Sequence, residues 1–185
     1  NINCFIDVGS HKGNYTDIML KNFKIKKILM FEPQKNIFEF IKKKYAKKNK
    51  VKIMNVAVSS SRGNQKFYIN RHDLTSSLNL LNKNNLYLKI KSKLFSSDIN
   101  SMIKNFYLVK TVKLNEVIKN YLKRSYKMNV LKIDTEGHEY EVLKGLDKEI
   151  KFINIILIEI HKDDVYLNYN YKKIHSHIIK NNFSL

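Results

Sequence analysis

The chain has 185 residues, 43% of them hydrophobic and 28% charged, which is the size and apolar content of one globular domain and excludes a disordered or fibrous chain. The formal charge of +19 comes from 32 Lys and 3 Arg against 16 acids, while Asn and Ile each occur 23 times. That skew follows from A/T-rich codons, whereas selected phosphate or base recognition favours the bidentate Arg fork, so the charge is background and no nucleic-acid partner is expected.

Cys4, the single cysteine, rules out an internal disulfide, a cysteine-built zinc site and an iron–sulfur cluster, and reads as a small core residue. No apolar run reaches the roughly 18 residues of a membrane span and no signal-peptide pattern is present, so the expected location is the cytoplasm. The chain begins without Met and stops at Phe183-Ser184-Leu185, where a further strand is expected to start.

Residues 3–8 (NCFIDV) read as a buried strand, followed by the loop GSHKG and a helix from Asn14 with Tyr15, Ile18, Met19 and Phe23 inward. Residues 27–31 (KILMF) form a second strand, stopped by Glu32-Pro33, before a helix with Ile37, Phe40, Ile41 and Tyr45 inward. A third strand covers 51–58, and a turn at 59–64 leads to a strand at 66–70. Residues 71–93 are polar and are expected to form an ordered loop. Ser97 is expected to cap a short helix carrying Ile99, Met102, Ile103 and Phe106, before an exposed strand at 107–112. Asn115 caps the next helix, with Val117, Ile118, Tyr121 and Leu122 inward. A fourth buried strand at 129–133 ends at Asp134, a helix from His138 to Lys144 closes at Gly145, a fifth strand spans 154–160, and Tyr171, Ile174 and Ile178 mark a last helix.

Buried strands alternating with amphipathic helices specify an α/β domain of the Rossmann-like, doubly wound kind, a mainly parallel sheet with helices on both faces. Residues 1–185 are expected to form that single domain. Ligands of such sheets sit beyond the carboxyl ends of the strands, where strand order reverses. The first strand end, DVGSHKG, has glycines at 9 and 13, which let backbone approach a ligand, and helix amides facing the same space. Its spacing is not the G-x-G-x-x-G of dinucleotide sites, and Asp7 suits an ammonium group while repelling a pyrophosphate. Glu32, stiffened by Pro33 at the second strand end, is placed to accept hydrogen bonds from both ribose hydroxyls of an adenosine. A nucleoside ligand with an ammonium group and no pyrophosphate describes S-adenosyl-L-methionine better than NAD or ATP.

The sequence resembles the FkbM-type branch of the class I S-adenosylmethionine-dependent methyltransferases. The likeness rests on FIDVGSHKGNYT at 5–16, MFEP at 30–33, NVAVSSSRGNQKFY at 55–68, TSSL at 75–78, VKLNEVI at 112–118, LKIDTEGHEYEVLKG at 131–145 and LIEIH at 157–161. It implies that Asp7, Gly9, Ser10 and Gly13 line the methionine end of the cofactor, that Glu32 with Pro33 takes the ribose, and that Val56 and Ala57 lie near adenine. Ser76 and Ser77 border the cofactor, and Asp134 stands where the transferable methyl points. Two departures are Ser10-His11 in place of the usual Ala-Asn, and an end before the family's last strands.

Methyl transfer to an alcohol needs a base as the new bond forms. The titratable groups at the strand ends are Asp134, Glu136, His138, Glu159 and His161, of which Asp134, Glu159 and His161 are the candidate catalytic residues, while Glu136 and Glu139 are divided between site roles and favouring a helix N-terminus, Lys132 and Lys144 read as surface residues, and His11 is given no site role. Asp134, Glu136, Glu159 and His161 also have metal-ligand chemistry, but their spacing fits no closed motif and no metal is expected. With no Pro-Pro-aromatic motif and no nucleophilic Cys at the fourth strand end, the acceptor is expected to be an oxygen, and the resemblance implies a sugar, glycan or secondary metabolite. The alternative is a basic RNA-binding or RNA-modifying domain, with Tyr166, Tyr169 and Tyr171 beside Lys172 and Lys173 as a stacking surface.

Overall fold

Short continuous apolar runs become the inner strands of a parallel sheet, because both of their faces are covered by helices. The computed structural model describes residues 1–70, 76–94, 103–122, 128–161 and 164–184. Strands β1 (Ile2–Val8), β2 (Ile25–Phe31) and β3 (Val51–Met54) alternate with helices α1 (Asn14–Asn22) and α2 (Lys35–Lys44). After β4 (Ala57–Val58) and β5 (Gly63–Asn70) come α3 (Leu86–Leu94), β6 (Ile103–Val112) and α4 (Leu114–Ile118). The chain then forms β7 (Met128–Ile133), α5 (Glu139–Leu146), a 3₁₀ turn at Asp147–Phe152, β8 (Ile155–Ile158) and α6 (Tyr171–Lys180).

The main sheet has the order β3-β2-β1-β7-β8 with every pairing parallel, so strand order reverses between β1 and β7. A small sheet, β4-β6-β5, stands apart from it, with β6 antiparallel to β5. Alternate residues of β1 divide the core. Cys4, Ile6 and Val8 join Leu114, Leu143 and Ile174 on the α4–α6 side, whereas Phe5 joins Met19, Ile41 and Tyr45 on the α1–α2 side. Helices thus cover both faces, as the periodicity required, and Cys4 is a buried core residue.

Several local expectations are corrected. Ile18 and Phe23 of the first helix, and Phe40 of the second, are about half exposed, and Thr16 turns inward from α1 beside the expected Met19. The strand expected over 51–58 breaks at Asn55-Val56, because its second half leaves the main sheet to pair with β6. Residues 86–94 form α3 within the expected loop. Ile103 and Phe106 belong to β6, whose partner β5 overrides the helical spacing, while Ser97, Ile99 and Met102 lie outside the described residues. Gly145 sits within α5 and does not terminate it. A Cβ there would fall 2.3 Å from the Ser59 carbonyl oxygen, so this glycine permits helix and loop to touch. Phe183 and Ser184 form no strand, and Phe183 folds back on the core with its N–H donating to the Ile178 carbonyl at 3.2 Å.

Candidate functional site

A cavity of about 360 Å³ opens at the carboxyl ends of β1, β2 and β7, the reversal point of the sheet. Expected positions meet in its wall: Gly9, Glu32 and Pro33 on one side, Val56 and Ala57 at the entry to the small sheet, Ser76, and Asp134 with Glu159 at the far end. Phe31, Val58 and Phe67 make the middle apolar, the lining of a pocket that takes a flat ring. Gly9 has φ +75°, and a Cβ on it would fall 1.8 Å from the Asp134 carbonyl oxygen, so only glycine lets the tips of β1 and β7 meet.

Glu32 is 3% exposed, and its two oxygens accept from the backbone N–H groups of Gln34 at 2.8 Å and His11 at 2.9 Å. Burial pushes its carboxyl up to about 7 against those hydrogen bonds, which favour the charged form. Two fixed donors aim the carboxylate, and its remaining lone pairs are free to take hydroxyls of a ligand.

Asp7 does not face the cavity. It is fully buried, its Oδ2 accepts from the Thr16 hydroxyl at 2.7 Å, and its Oδ1 lies 3.3 Å from the Lys132 ammonium. Lys132, which reads from sequence as a surface residue, is also buried, donating to the Gly9 carbonyl at 2.9 Å and pairing with Asp134 Oδ2 at 3.0 Å. The cause is register: Asp7 and Lys132 are directly paired across β1 and β7, so their side chains share one face. Burial disfavours the Lys132 charge, but the two aspartates outweigh it and raise its pKa.

The far end of the cavity is acidic. Glu159, half exposed, is pushed up to about 8, first by its hydrogen bond to Asp134, then by burial and by the charges of Asp134, Glu136 and Glu139. Burial acts upward on Asp134 too, but the proton donated by Glu159 and the Lys132 charge hold it below the usual carboxylate range. Glu136 has φ +55° and accepts from the Tyr166 hydroxyl. Glu139 is fully buried, and its Oε1 accepts from Thr135 N at 3.0 Å, Thr135 Oγ1 at 3.1 Å and Gly137 N at 3.0 Å, so it ties together the loop ahead of α5. His161 lies behind this wall, its Nε2 3.8 Å from Glu136, 3.9 Å from Glu139 and 4.0 Å from Glu159.

Ser10, Gly13 and Ser77 support the wall without lining it. The Ser10 hydroxyl donates to the Phe31 carbonyl, Gly13 packs on Tyr45, and the Ser77 hydroxyl donates to the Thr135 carbonyl at 3.0 Å, while Ser76 lines the cavity. Two histidines line the cavity, His138, which the sequence places among the titratable strand-end groups, and His11, which it does not. His11 holds Glu32 through its backbone, for which no side-chain signal exists. His138 is 7% exposed, between Asn79 Oδ1 at 2.9 Å and Ser59 Oγ at 3.0 Å. The Asn79 amide nitrogen donates to the Gly137 carbonyl, so its oxygen faces the imidazole, Nδ1 carries the proton and Nε2 accepts from Ser59. Burial lowers His138 to about 4 and keeps it neutral.

Residues 7–185 match the family described as Methyltransferase FkbM domain. Over 35 residues the chain is 51% identical to the hexuronic acid methyltransferase AglP of Haloferax volcanii, a stretch covering 19% of this chain and 15% of that protein. The crystal structure of Methyltransferase FkbM from Methylobacillus flagellatus KT is 13% identical with a TM-score of 0.47, covering 81% of this chain and 30% of that one. The chain thus matches well under half the length of either relative.

Proposed function

The chain belongs to the FkbM methyltransferase family, and from that premise we propose that it transfers a methyl group from S-adenosyl-L-methionine to a hydroxyl of a sugar, glycan or secondary metabolite. The observation that carries this reading is the cavity at the sheet's reversal point, which joins a buried, doubly aimed Glu32 to the acidic end at Asp134 and Glu159. Adenine fits the apolar wall of Val56, Ala57 and Phe67, the ribose hydroxyls reach Glu32, and the sulfonium lies toward Asp134. An acceptor then enters past the half-exposed Glu159.

In the reaction the acceptor oxygen forms a bond to the methyl carbon as the carbon–sulfur bond breaks. The electron pair goes to sulfur, leaving S-adenosylhomocysteine, and the hydroxyl proton leaves through the acidic end of the cavity. Holding oxygen, carbon and sulfur in line is the larger part of such catalysis, and the rigid strand ends provide it. The hexuronic acid named for the short-stretch relative makes an acidic sugar the first acceptor to try. The RNA reading keeps one of its three stacking residues: Tyr166 is 3% and Tyr169 8% exposed, within the core, while Tyr171 is 37% exposed.

Calorimetry with S-adenosylhomocysteine, followed by methyl transfer to a panel of uronic acids and neutral sugars, tests the proposal. Saturable binding lost in Glu32→Ala supports it. An absence of binding, or displacement by a nucleoside diphosphate instead, overturns it.

A further inference from the structure

We infer that Glu136, Glu159 and His161 form a site for one divalent cation of the Mn²⁺ or Zn²⁺ type, at the acceptor end of the cavity. One ligand atom from each of the three lies within 4.8 Å of the others, and His161 Nε2 stands 3.8 Å from Glu136 Oε2 and 4.0 Å from Glu159 Oε2. Donors at these separations leave a common centre roughly 2.3–2.5 Å from each, within about half an ångström of the bond lengths of divalent ions to oxygen and imidazole nitrogen. Two carboxylates with one imidazole suit Mn²⁺ or Zn²⁺ better than Ca²⁺, which takes oxygen alone.

Independent of that spacing, two buried polar atoms at this point have no hydrogen-bond partner among the described residues: His161 Nε2 and Glu139 Oε2. Glu139 is fully buried and its carboxylate faces the imidazole, with Oε1 3.9 Å from Nε2. Atoms so placed cost roughly 1–3 kcal/mol each unless something takes their lone pairs. Three further carboxylates, Asp134, Glu136 and Glu159, crowd the same region, and among the described residues no lysine or arginine is ion-paired to Glu136, Glu139 or Glu159. A cation answers both deficits.

The surroundings are built to hold these ligands. The Tyr166 hydroxyl donates to Glu136 and its ring stands edge-on to the imidazole at 5.1 Å. The Tyr169 hydroxyl accepts from the His161 backbone N–H at 3.1 Å, and its ring closes the other side at 5.7 Å. Partners of this kind orient ligands around metals. The consequence for catalysis rests on the function proposed above: a cation here takes two neighbouring oxygens of a sugar and acidifies the one that receives the methyl group.

The test is Mn²⁺ titration of chelator-treated protein, followed by the loss of the free-ion electron paramagnetic resonance signal. One saturable site per chain is expected, weakened about tenfold or more in each of Glu136→Gln, Glu159→Gln and His161→Ala, and also in Tyr166→Phe, which keeps the ring. Thermal melting establishes that each variant is folded, and half-exposed Glu159 gives the variant least able to disturb the fold. No saturable binding at millimolar Mn²⁺, or binding unchanged in the folded Glu159→Gln protein, overturns the inference. S-adenosylhomocysteine calorimetry in the presence of chelator separates the two proposals: donor binding without a metal site sinks only the cation, whereas a metal site without donor binding sinks only the methyltransferase reading.

Discussion

Under the proposed function, Glu32 ties donor binding to a proton. Its carboxyl, buried and pushed up to about 7, must be ionised to accept two ribose hydroxyls, so the donor binds the deprotonated form. Going from about pH 8 to about pH 6, the ionised fraction falls from roughly nine-tenths to one-tenth, and donor affinity falls about tenfold, ~1.4 kcal/mol. The stability of the donor-free fold moves the opposite way. A carboxyl raised from 4.5 contributes stability that is fully present below 4.5 and is lost as pH rises through about 7, a loss of about 2–3 kcal/mol between about pH 5 and about pH 8. Glu32→Gln carries neither dependence and is the reference that cancels every other titrating group, including the amino group of the donor. Calorimetry with S-adenosylhomocysteine in two buffers of different ionisation heat counts the proton released, and urea unfolding without donor reads the stability arm. Parallel pH profiles for wild type and Glu32→Gln in both measurements would refute the reasoning.

Gly9→Ala places a methyl group 1.8 Å from the Asp134 carbonyl oxygen at a positive φ, which is expected to destabilise the fold by about 2–4 kcal/mol; an unchanged Tm would show that the tips of β1 and β7 are not in contact. Lys132→Met leaves the fully buried Asp7 with Thr16 alone, and removing one partner of such a pair costs about 3–5 kcal/mol. Urea unfolding at neutral pH reads this change, and a loss below about 1 kcal/mol would show that the Lys132–Asp7 contact does not support the fold.

The parallel sheet was legible because each inner strand is a short apolar run followed by an acid or glycine, and the site was legible as far as it is made of strand ends. Glu32, Asp134 and Glu159 all stand at positions where the apolar run stops. What was illegible depends on partners far away in sequence. The α3 helix replaces part of an expected loop, and β6 contains the strand expected at 107–112 but begins at Ile103, within the expected helix, where pairing with β5 decides rather than local spacing. His138 stands out in the sequence as a titratable group soon after the fourth strand, but its partners do not, since Ser59 and Asn79 are brought 79 and 59 positions across the chain. Lys132 looked like one more lysine among 32, and only the β1–β7 register shows that it faces Asp7.

That register changes what the first-strand acid does. An ammonium-gripping role for Asp7 requires an open carboxylate, whereas its two oxygens are engaged by Thr16 and Lys132 beneath α1. The acid acts one step removed: it holds the lysine that pins the Gly9 carbonyl and the Asp134 carboxylate, so three strand-end groups share one fixed cation. This arrangement suits methyl transfer from a sulfonium. The donor begins with a full positive charge on sulfur and ends with none, so a bare carboxylate beside it would stabilise the bound donor more than the transition state and slow the reaction. Lys132, 3.0 Å from Asp134, offsets that carboxylate's field while keeping it ionised and oriented. Under the proposed function, binding of the donor is thereby left to Glu32 and the apolar wall, interactions that do not change as the methyl group leaves, and the acidic end is left for the acceptor.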